Sequence, residues 1–447
     1  MNYFREFYQM MVRGSEAYAR WDLEASTNIL RSRKRMGILF LLLLPIVIGG
    51  IALAAGDGLP HMIGGKTAYM PSHYTNVIFF ASIFVGVCAG LITGCIGAGG
   101  GFIIAPALMS AGVKGILAVG TDLFHIFAKA IMGSVLHRKM GNISVSLATT
   151  FLVGSIAGAT LGGMLNRYLY DLNPVLSDLF ITTVYVFILG FLSFYAMADY
   201  WTARKGEAKT KEADKKASRE EQVPPMGKRL QSIHIPPMLT FDEGVTPGGR
   251  KISAIFLVIS GLIVGLAASI MGVGGGFLTF PIFVYGLGVS SMTTVGTDIF
   301  QIVFTAGYSS LSQYAFYGFV FYTLAMGMLL GSLIGVQIGS LVTKVVPGIM
   351  IRGFFALAVT AGFINRFFAM PEKLQSLGYL QITKSTGAML NTVGNCLFFL
   401  AIGTFTLWVF YVFFKNINEL RSEESFSHLE KPITKDSNLK ELRTEGN

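Results

Sequence analysis

The sequence predicts an all-α, polytopic membrane protein with two inverted five-helix repeats. Each repeat contains a glycine-broken short helix, and extra transmembrane helices precede and follow the pair. Of the 447 residues, 52% are hydrophobic and 13% are charged, whereas soluble domains carry about 25% charged residues. Apolar stretches of about 20 residues, the length that crosses a bilayer core, recur along the chain. One residue pattern also occurs twice, far apart in the sequence.

The apolar stretches define the predicted helices in chain order. Long stretches lie at about 37–55, 76–97, 116–136, 145–166, 176–199, 252–272, 292–315, 320–343, 348–369 and 391–414. Two shorter stretches, at about 99–112 and 274–288, are rich in glycine and contain Pro106 and Pro281. Counting each short stretch as a crossing, both halves cross five times. An odd number of crossings inverts the second half relative to the first.

Charged segments separate these stretches and predict the orientation of the chain. Lys and Arg concentrate in residues 1–35, 201–251 and the tail, so we expect these parts and both termini in the cytoplasm. The predicted segments are a basic juxtamembrane segment at 1–35, an extra helix and outer loop at 36–75, repeat 1 at 76–200, a connector at 201–250, repeat 2 at 251–370, an outer loop and last helix at 371–415, and a tail at 416–447.

Several functional classes are disfavoured by the sequence. The net charge of +10 could suggest nucleic acid, but the basic residues gather in the non-hydrophobic segments, so we expect a lipid bilayer and no nucleic acid as partner. The three cysteines lie in apolar stretches without metal or redox spacing. The sequence shows no catalytic set, metal cluster or nucleotide motif, and we therefore expect neither enzyme activity nor a cofactor.

The repeat is the most informative feature of the sequence. Gly97-Ala98-Gly99-Gly100-Gly101-Phe102 matches Gly272-Val273-Gly274-Gly275-Gly276-Phe277, and Pro106 matches Pro281. Further on, Gly120-Thr121-Asp122 matches Gly296-Thr297-Asp298. The ladder Gly154, Gly158 and Gly162 matches Gly331, Gly335 and Gly339, and this small-residue spacing is typical of close helix packing.

The two glycine runs predict breaks in the membrane-embedded backbone. Glycine is flexible and proline lacks an N–H group, and broken backbone at membrane depth is tolerated where it is buried or lines a cavity. Short helices that begin after Gly99-Gly100-Gly101 and Gly274-Gly275-Gly276 would offer free N–H groups to an anion. The alternative is that these glycines serve only close helix packing.

Polar residues that follow each break are further candidates for the site. Asp122, His125 and Lys129 share one helical face in the first copy, where the second has Asp298, Gln301 and Thr305. Lys129 could neutralise an anion, and His125 could titrate near neutral pH. Alternatively, Lys129 pairs with Asp122 or reaches the interface. Thr121, Asp122, Thr297 and Asp298 could instead, or in addition, cap helix N-termini.

The duplicated Gly-x-Gly-Gly-Gly-Phe, Pro and Gly-Thr-Asp pattern resembles the TauE/SafE sulfite exporter family, also called TSUP. The resemblance spans residues 76–370. It implies a helical transporter of sulfite, sulfonates such as sulfoacetate, or related organic anions, with substrate bound between the halves near the breaks. It also implies a bacterial or archaeal cell (inner) membrane.

Together these patterns predict a secondary transporter of a small anion in which the two halves rock about a central site. Proton coupling, a homo-oligomer and a cytoplasmic partner of residues 201–250 stay open from the sequence. The alternatives are a passive anion channel, or a membrane sensor or assembly subunit that acts through that connector.

Overall fold

The computed structural model describes residues 76–96, 100–139, 143–207, 225–242, 249–342, 345–346 and 348–416. The predicted segments 1–35 and 36–75, and all but the first residue of the tail, lie outside the described residues. Part of the connector and Gly97, Ala98 and Gly99 do as well. The described chain is helical apart from one short hairpin, which confirms the predicted all-α membrane fold.

The helices of the first half follow the predicted apolar stretches. They are α1 (Asn76–Ile96), α2 (Gly101–Ser110), α3 (Gly115–Lys139), α4 (Val145–Leu172) and α5 (Pro174–Glu207). A helix α6 (Pro225–Ser232) and an antiparallel hairpin of β1 (Met238–Phe241) and β2 (Arg250–Ser253) belong to the connector.

The second half repeats this order of elements. It contains α7 (Ala254–Met271), α8 (Gly276–Pro281), α9 (Ser291–Tyr308), α10 (Tyr322–Val342) and α11 (Gly348–Ser376), followed by α12 (Lys384–Lys415). A π-helical turn over Ile282–Leu287 extends α8, and a second over Ser309–Tyr314 extends α9. Helix α11 continues beyond the predicted end of its span at 369 because Lys373 and Glu372 are held by partners on α5 and α12.

Six described helices are long and apolar enough to cross a membrane, namely α4, α5, α7, α10, α11 and α12. Helices α1 and α2 form shorter apolar segments. Helices α3 and α9 fall outside both groups because they carry the polar side chains of the repeated motif.

Helices of opposite halves pack in pairs through their glycines. Gly86 and Gly94 of α1 lie against the backbone of Met328 and Val336 of α10, so these two helices run parallel. Helices α4 and α7 pair in the same way, with Gly154 against Val258. Because backbone meets backbone along both pairs, any side chain at the ladder would push the helices apart.

The fifth helices of the two halves, α5 and α11, lie antiparallel to each other. Along α5 and α11, Asp178 pairs with Lys373 at one end, and Tyr200 lies against Gly353 at the other. The first, fourth and fifth helices of each half therefore contact the fourth, first and fifth helices of the other. This reciprocity is what a two-fold relation between the copies produces, and the inverted membrane orientation stays a prediction.

The chain folds back on itself at each glycine run. Gly100 lies against Ala89 and Thr93 of α1, and Gly275 lies against Val264 and Ala268 of α7. The short helix that follows therefore returns along the helix before it. Ten residues of α2 cover about 15 Å at 1.5 Å per residue, which is half of a core about 30 Å thick. Each break consequently lies near mid-depth, and a short helix completes only about half a crossing.

An aspartate and a base hold the turn that follows each short helix. Asp178 accepts a 2.7 Å hydrogen bond from the Gly115 amide and a 3.3 Å bond from Lys373 Nζ. In the second half, Asp242 accepts bonds from the amide (2.9 Å) and hydroxyl (2.8 Å) of Ser290 and lies 3.5 Å from Arg250 Nη1. We call these the α2–α3 clasp, formed by Asp178 and Lys373, and the α8–α9 clasp, formed by Asp242 and Arg250.

The described part of the connector therefore packs on the membrane domain. Gln231 of α6 donates a 2.8 Å hydrogen bond to the Leu287 carbonyl at the end of the π-helical turn. Phe241 and Ile252 of the hairpin pack with Phe151 of α4 and Phe283. The hairpin thus joins the start of the second half to the first half.

We expect Gly331→Ala to lower the unfolding temperature in detergent. A methyl group there would meet the Ile83 carbonyl of α1, and overpacking costs about 1–3 kcal/mol. Gly403→Ala in α12 is the matched control, because nothing lies within 4 Å of its added methyl group. Equal unfolding temperatures for the two variants would contradict the close pairing of α1 with α10.

Candidate functional site

The two breaks meet each other in the centre of the molecule. A Cβ atom on Gly101 would lie 3.3 Å from the Val273 Cα atom and 3.1 Å from Ile126 Cδ1. Ile126 also lies against Gly274, and Gly272 lies against the backbone of Val119. The start of α2, the start of α8 and the middle of α3 therefore share one buried junction.

Glycine is required at the breaks by the backbone conformation. Gly100, Gly274 and Gly275 have φ angles of 65°, 72° and 85°, in the left-handed region that residues with a Cβ atom avoid. Gly101 and Gly276 begin α2 and α8. The remaining predicted site glycine, Gly99, lies outside the described residues.

Polar side chains from three helices bind the carbonyl groups that α7 leaves open at the second break. Tyr314 donates to the Ser269 carbonyl (2.5 Å), Asn166 to the Ile270 carbonyl (3.2 Å) and Tyr185 to the Met271 carbonyl (2.5 Å). The last carbonyl groups of a helix have no partner within it, and buried ones need another donor. Sequence reasoning missed these donors, although each is a polar residue within an apolar stretch.

Asp122 and His125 form the polar group beside the first break. Both are fully buried, with His125 Nδ1 3.6 Å from Asp122 Oδ1. His125 Nε2 lies 2.9 Å from the Ser332 hydroxyl of α10. Neither carboxylate oxygen of Asp122 nor Nδ1 of His125 makes a hydrogen bond to a described residue. The Ala105 peptide of α2 faces Asp122 outside hydrogen-bonding geometry.

The equivalent group of the second half is satisfied internally. Gln301 Nε2 donates to Asp298 Oδ1 at 2.9 Å, and its Oε1 accepts from Thr305 at 2.8 Å. Thr305 lies 2.8 Å from the hydroxyl of Ser155 on α4. Ser155 and Ser332 occupy matching positions of the repeat, so each aspartate is linked to a serine of the opposite half. A Cβ atom on Gly276 would lie 2.8 Å from Asp298 Oδ2, so this carboxylate sits at the start of α8.

The threonines of the Gly-Thr-Asp motifs bind backbone of the opposite half. Thr121 Oγ1 accepts from the Phe321 amide at 2.9 Å, and Thr297 Oγ1 accepts from the Ser144 amide at 3.0 Å. The expectation that the motif caps its own helix is wrong, because α3 and α9 begin at Gly115 and Ser291. Each threonine instead satisfies an amide where the fourth helix of the other half begins.

Lys129 lies on the same face of α3 as His125, one turn further along, and is half-buried. The predicted residues Asp122, His125 and Lys129 are thus brought together on α3, while Asp298 and Gln301 are brought together on α9. Helices α3 and α9 also pack against each other, so the two groups lie on neighbouring helices.

We expect Asp122→Asn to raise the unfolding temperature more than Asp298→Asn does. Both substitutions remove a buried carboxylate charge, but only the Asp122 carboxylate lacks a hydrogen-bond donor among the described residues. A buried charge without a partner costs more than a hydrogen-bonded one. Thermal unfolding of both variants in one detergent measures the difference. The reverse order would show that Asp122 has a partner that this arrangement lacks.

Comparison with known proteins agrees with the helical membrane fold. Residues 82–366 match the family model described as Sulfite exporter TauE/SafE. The chain is 28% identical over 262 residues to the probable membrane transporter protein YjnA of Bacillus subtilis (strain 168), covering 58% of this chain and 87% of that protein. It is 22% identical over 275 residues to the probable membrane transporter protein YunE of the same organism, covering 60% and 89%.

A third relative is also described as a probable membrane transporter protein. The probable membrane transporter protein MJ0441 of Methanocaldococcus jannaschii is 26% identical over 208 residues, covering 45% of this chain and 59% of that protein. No solved structure matches the chain. The matched region contains both glycine breaks, both Gly-Thr-Asp motifs and the helix pairs that hold them. The chain belongs to the sulfite exporter TauE/SafE family and is a multi-pass membrane transporter.

Proposed function

We propose that this protein is a secondary transporter that carries a small anion, such as sulfite, a sulfonate or a related organic anion, together with a proton. The observation that carries the proposal is the junction of the two backbone breaks, with one aspartate group from each half beside it. Transporters place their substrates near mid-depth where helices are broken. The family description, which names sulfite export, supports the choice of anion.

The anion class is supported by the groups of the first half. His125 presents an unpaired Nδ1 to the interior, and Lys129 lies one turn away. The start of α2 adds backbone N–H groups and the positive end of a ten-residue helix. These groups suit a small anion with oxygen acceptors. The carboxylate of Asp122, which lies among them, would repel an anion unless it carries a proton.

The proton role follows from that conflict of charge. An ionised carboxyl group within a membrane span costs about 2.5–3.5 kcal/mol on insertion scales. A proton bound by Asp122, or shared with His125 3.6 Å away, removes the charge. Among the described residues, Lys129 and Tyr185 also lie within electrostatic range of Asp122. Anion and proton would then enter together, which makes the transport a symport.

The equivalent group of the second half has a neutral side chain in place of the imidazole. Gln301 occupies the position of His125 and carries no titratable proton. Its two bonds, to Asp298 and Thr305, close the network. The proposed coupling therefore resides in the first half alone.

The helix pairs suggest which bodies would move during alternating access. Backbone contact joins α1 to α10 and α4 to α7, so each tight pair contains one helix from each half. Sliding the two halves past one another would disrupt both pairs. Bundles built around α1–α10 and α4–α7 could instead rock as units about the junction of the breaks.

Counterflow in proteoliposomes tests the proposal. Vesicles loaded with sulfite, sulfate, thiosulfate, sulfoacetate or acetate are diluted into a labelled trace of the same anion. We expect transient accumulation that saturates with concentration for at least one anion of this panel. Flux that never saturates and shows no counterflow would indicate a passive channel, and no flux of any anion would contradict the anion class.

His125→Gln tests the coupling, because it gives the first half the side chain that the second half already has. We expect anion counterflow to persist, while acceleration by an imposed pH gradient is lost. Gln301→Asn is the control, since it shortens a neutral side chain without removing a titratable group. Retained acceleration in His125→Gln would place the coupling proton elsewhere.

A further inference from the structure

Arg366 of α11 is buried against the short helix of the first half and is 2% exposed. Its Nε donates a 2.7 Å hydrogen bond to Asn365 Oδ1. Its Nη2 donates to the Ser110 hydroxyl (2.7 Å) and the Pro106 carbonyl (3.2 Å) of α2. Nη1 makes no hydrogen bond to a described residue. One arm of the guanidinium group therefore holds α2, and the other is left for a ligand.

The charge of Arg366 has no carboxylate partner at ion-pair distance among the described residues. Its hydrogen-bond acceptors are an amide oxygen, a carbonyl and a hydroxyl, all neutral. Asp178, the nearby acid on α5, is already engaged by Lys373 and the Gly115 amide. A buried cation without a counter-ion is costly. Within a membrane protein such a residue marks a substrate or ion site more often than a structural one.

Arg366 is connected to the junction of the breaks through Tyr185. Tyr185 of α5 lies within electrostatic range of both Arg366 and Asp122. Its hydroxyl binds the Met271 carbonyl where α7 ends at the second break. Tyr185 is thus the group that lies within electrostatic range of both the guanidinium group and the carboxyl group.

We propose that Arg366 supplies the fixed positive charge that binds the transported anion, in a site between α2, α5 and α11 beside Tyr185. This inference rests on the proposed anion transport and adds the residue that receives the anion. It separates the charge-binding group, Arg366, from the proton-binding group, Asp122 with His125. The chemistry fits an oxyanion, because Nη1 keeps N–H groups that can donate charge-assisted hydrogen bonds to an oxygen of a sulfite, sulfonate or carboxylate.

The α2–α3 clasp lies two turns from this site along both α5 and α11. Lys373 is seven residues beyond Arg366, on the same face of α11, and Asp178 is seven residues before Tyr185 on α5. The side chains of Lys373 and Asp178 are 18% and 20% exposed, in contrast to Arg366. Among the described residues, Lys373 is therefore a nearby positive charge that already has a carboxylate partner, unlike Arg366.

A purely structural role for Arg366 makes a different prediction. Arginine near a helix C-terminus stabilises it, and Arg250 binds the Gly288 carbonyl after the second short helix at 3.0 Å in the same manner. If Arg366 only holds the end of α2, removing its acceptor at Ser110 should resemble removing its charge. If it binds the anion, the two changes should separate.

The experiment measures anion-dependent thermal stabilisation of the full-length protein in detergent with sulfite, sulfate, thiosulfate, sulfoacetate and acetate as probes. Arg366→Gln, Arg366→Lys, Ser110→Ala and Lys373→Gln are compared with the unchanged protein. We expect Arg366→Gln to weaken the Kd of the stabilising anion about 10- to 100-fold, as for loss of a charge-assisted hydrogen bond. Arg366→Lys, which keeps the charge without the planar fork, should lose less. Ser110→Ala should lower the unfolding temperature and leave the Kd of the anion within about twofold. Lys373→Gln removes one positive charge elsewhere on α11 and should also leave the Kd within about twofold.

The outcomes separate this inference from the proposed function. An anion that stabilises the unchanged protein and Arg366→Gln equally would overturn the role of Arg366 while leaving anion transport intact. Arg366→Gln could fail to fold. In that case the role of Arg366 would be overturned if Arg366→Lys bound the anion with an unaltered Kd while Lys373→Gln bound it more weakly. No stabilisation of the unchanged protein by any probe would overturn both proposals.

Discussion

Interrupting the backbone inside an apolar bundle is the constraint on which the rest of this structure depends. A broken helix leaves N–H and C=O groups that neither lipid nor the helix itself can bind. Donors from other helices satisfy these groups at the second break. Tyr314, Asn166 and Tyr185 donate hydrogen bonds to the carbonyl groups at the end of α7. Each of these donors must be buried within hydrogen-bonding distance of its carbonyl group. The positions of α4, α5 and the end of α9 are therefore fixed relative to the break.

The same constraint explains why the helices pair across the halves. A break at mid-depth is supported only if neighbouring helices approach closely, and the glycine ladders of α1, α4, α7 and α10 let backbone meet backbone. Thr121 and Thr297 then bind the amides at which the opposite half continues. The motif residues therefore hold the halves together as well as facing the junction.

Much of this arrangement could be predicted from the repeat. The double glycine run predicted the breaks, the Gly-Thr-Asp motifs predicted which polar residues lie beside them, and the ladders predicted close packing. The partners across the halves could not be predicted, because Ser155 and Ser332 looked like packing residues within their ladders. Arg366 was visible as a charge inside an apolar stretch, but only the fold shows that it binds the end of α2.

The two halves have kept one geometry and changed its chemistry. Asp298 accepts a hydrogen bond from the neutral amide of Gln301. Asp122 instead faces the titratable imidazole of His125, and its oxygens accept no hydrogen bond from a described residue. A duplicated scaffold thus holds one carboxyl group with a hydrogen-bond donor among the described residues and one without, and the proposed proton exchange is assigned to the latter. The buried charge of Arg366 binds the end of the short helix of the first half.

The most direct test of the account is whether the junction of the breaks is reached from both sides of the membrane in turn. Val273→Cys, in a background with Cys88, Cys95 and Cys396 replaced by serine, places one thiol at the contact with Gly101. Its reaction with a membrane-impermeant thiol reagent is measured from each side of oriented vesicles, with and without an outwardly directed anion gradient. The account predicts labelling from either side, with the gradient shifting reactivity from one side to the other. A thiol that reacts from one side only, or from both sides with no effect of the gradient, would contradict it.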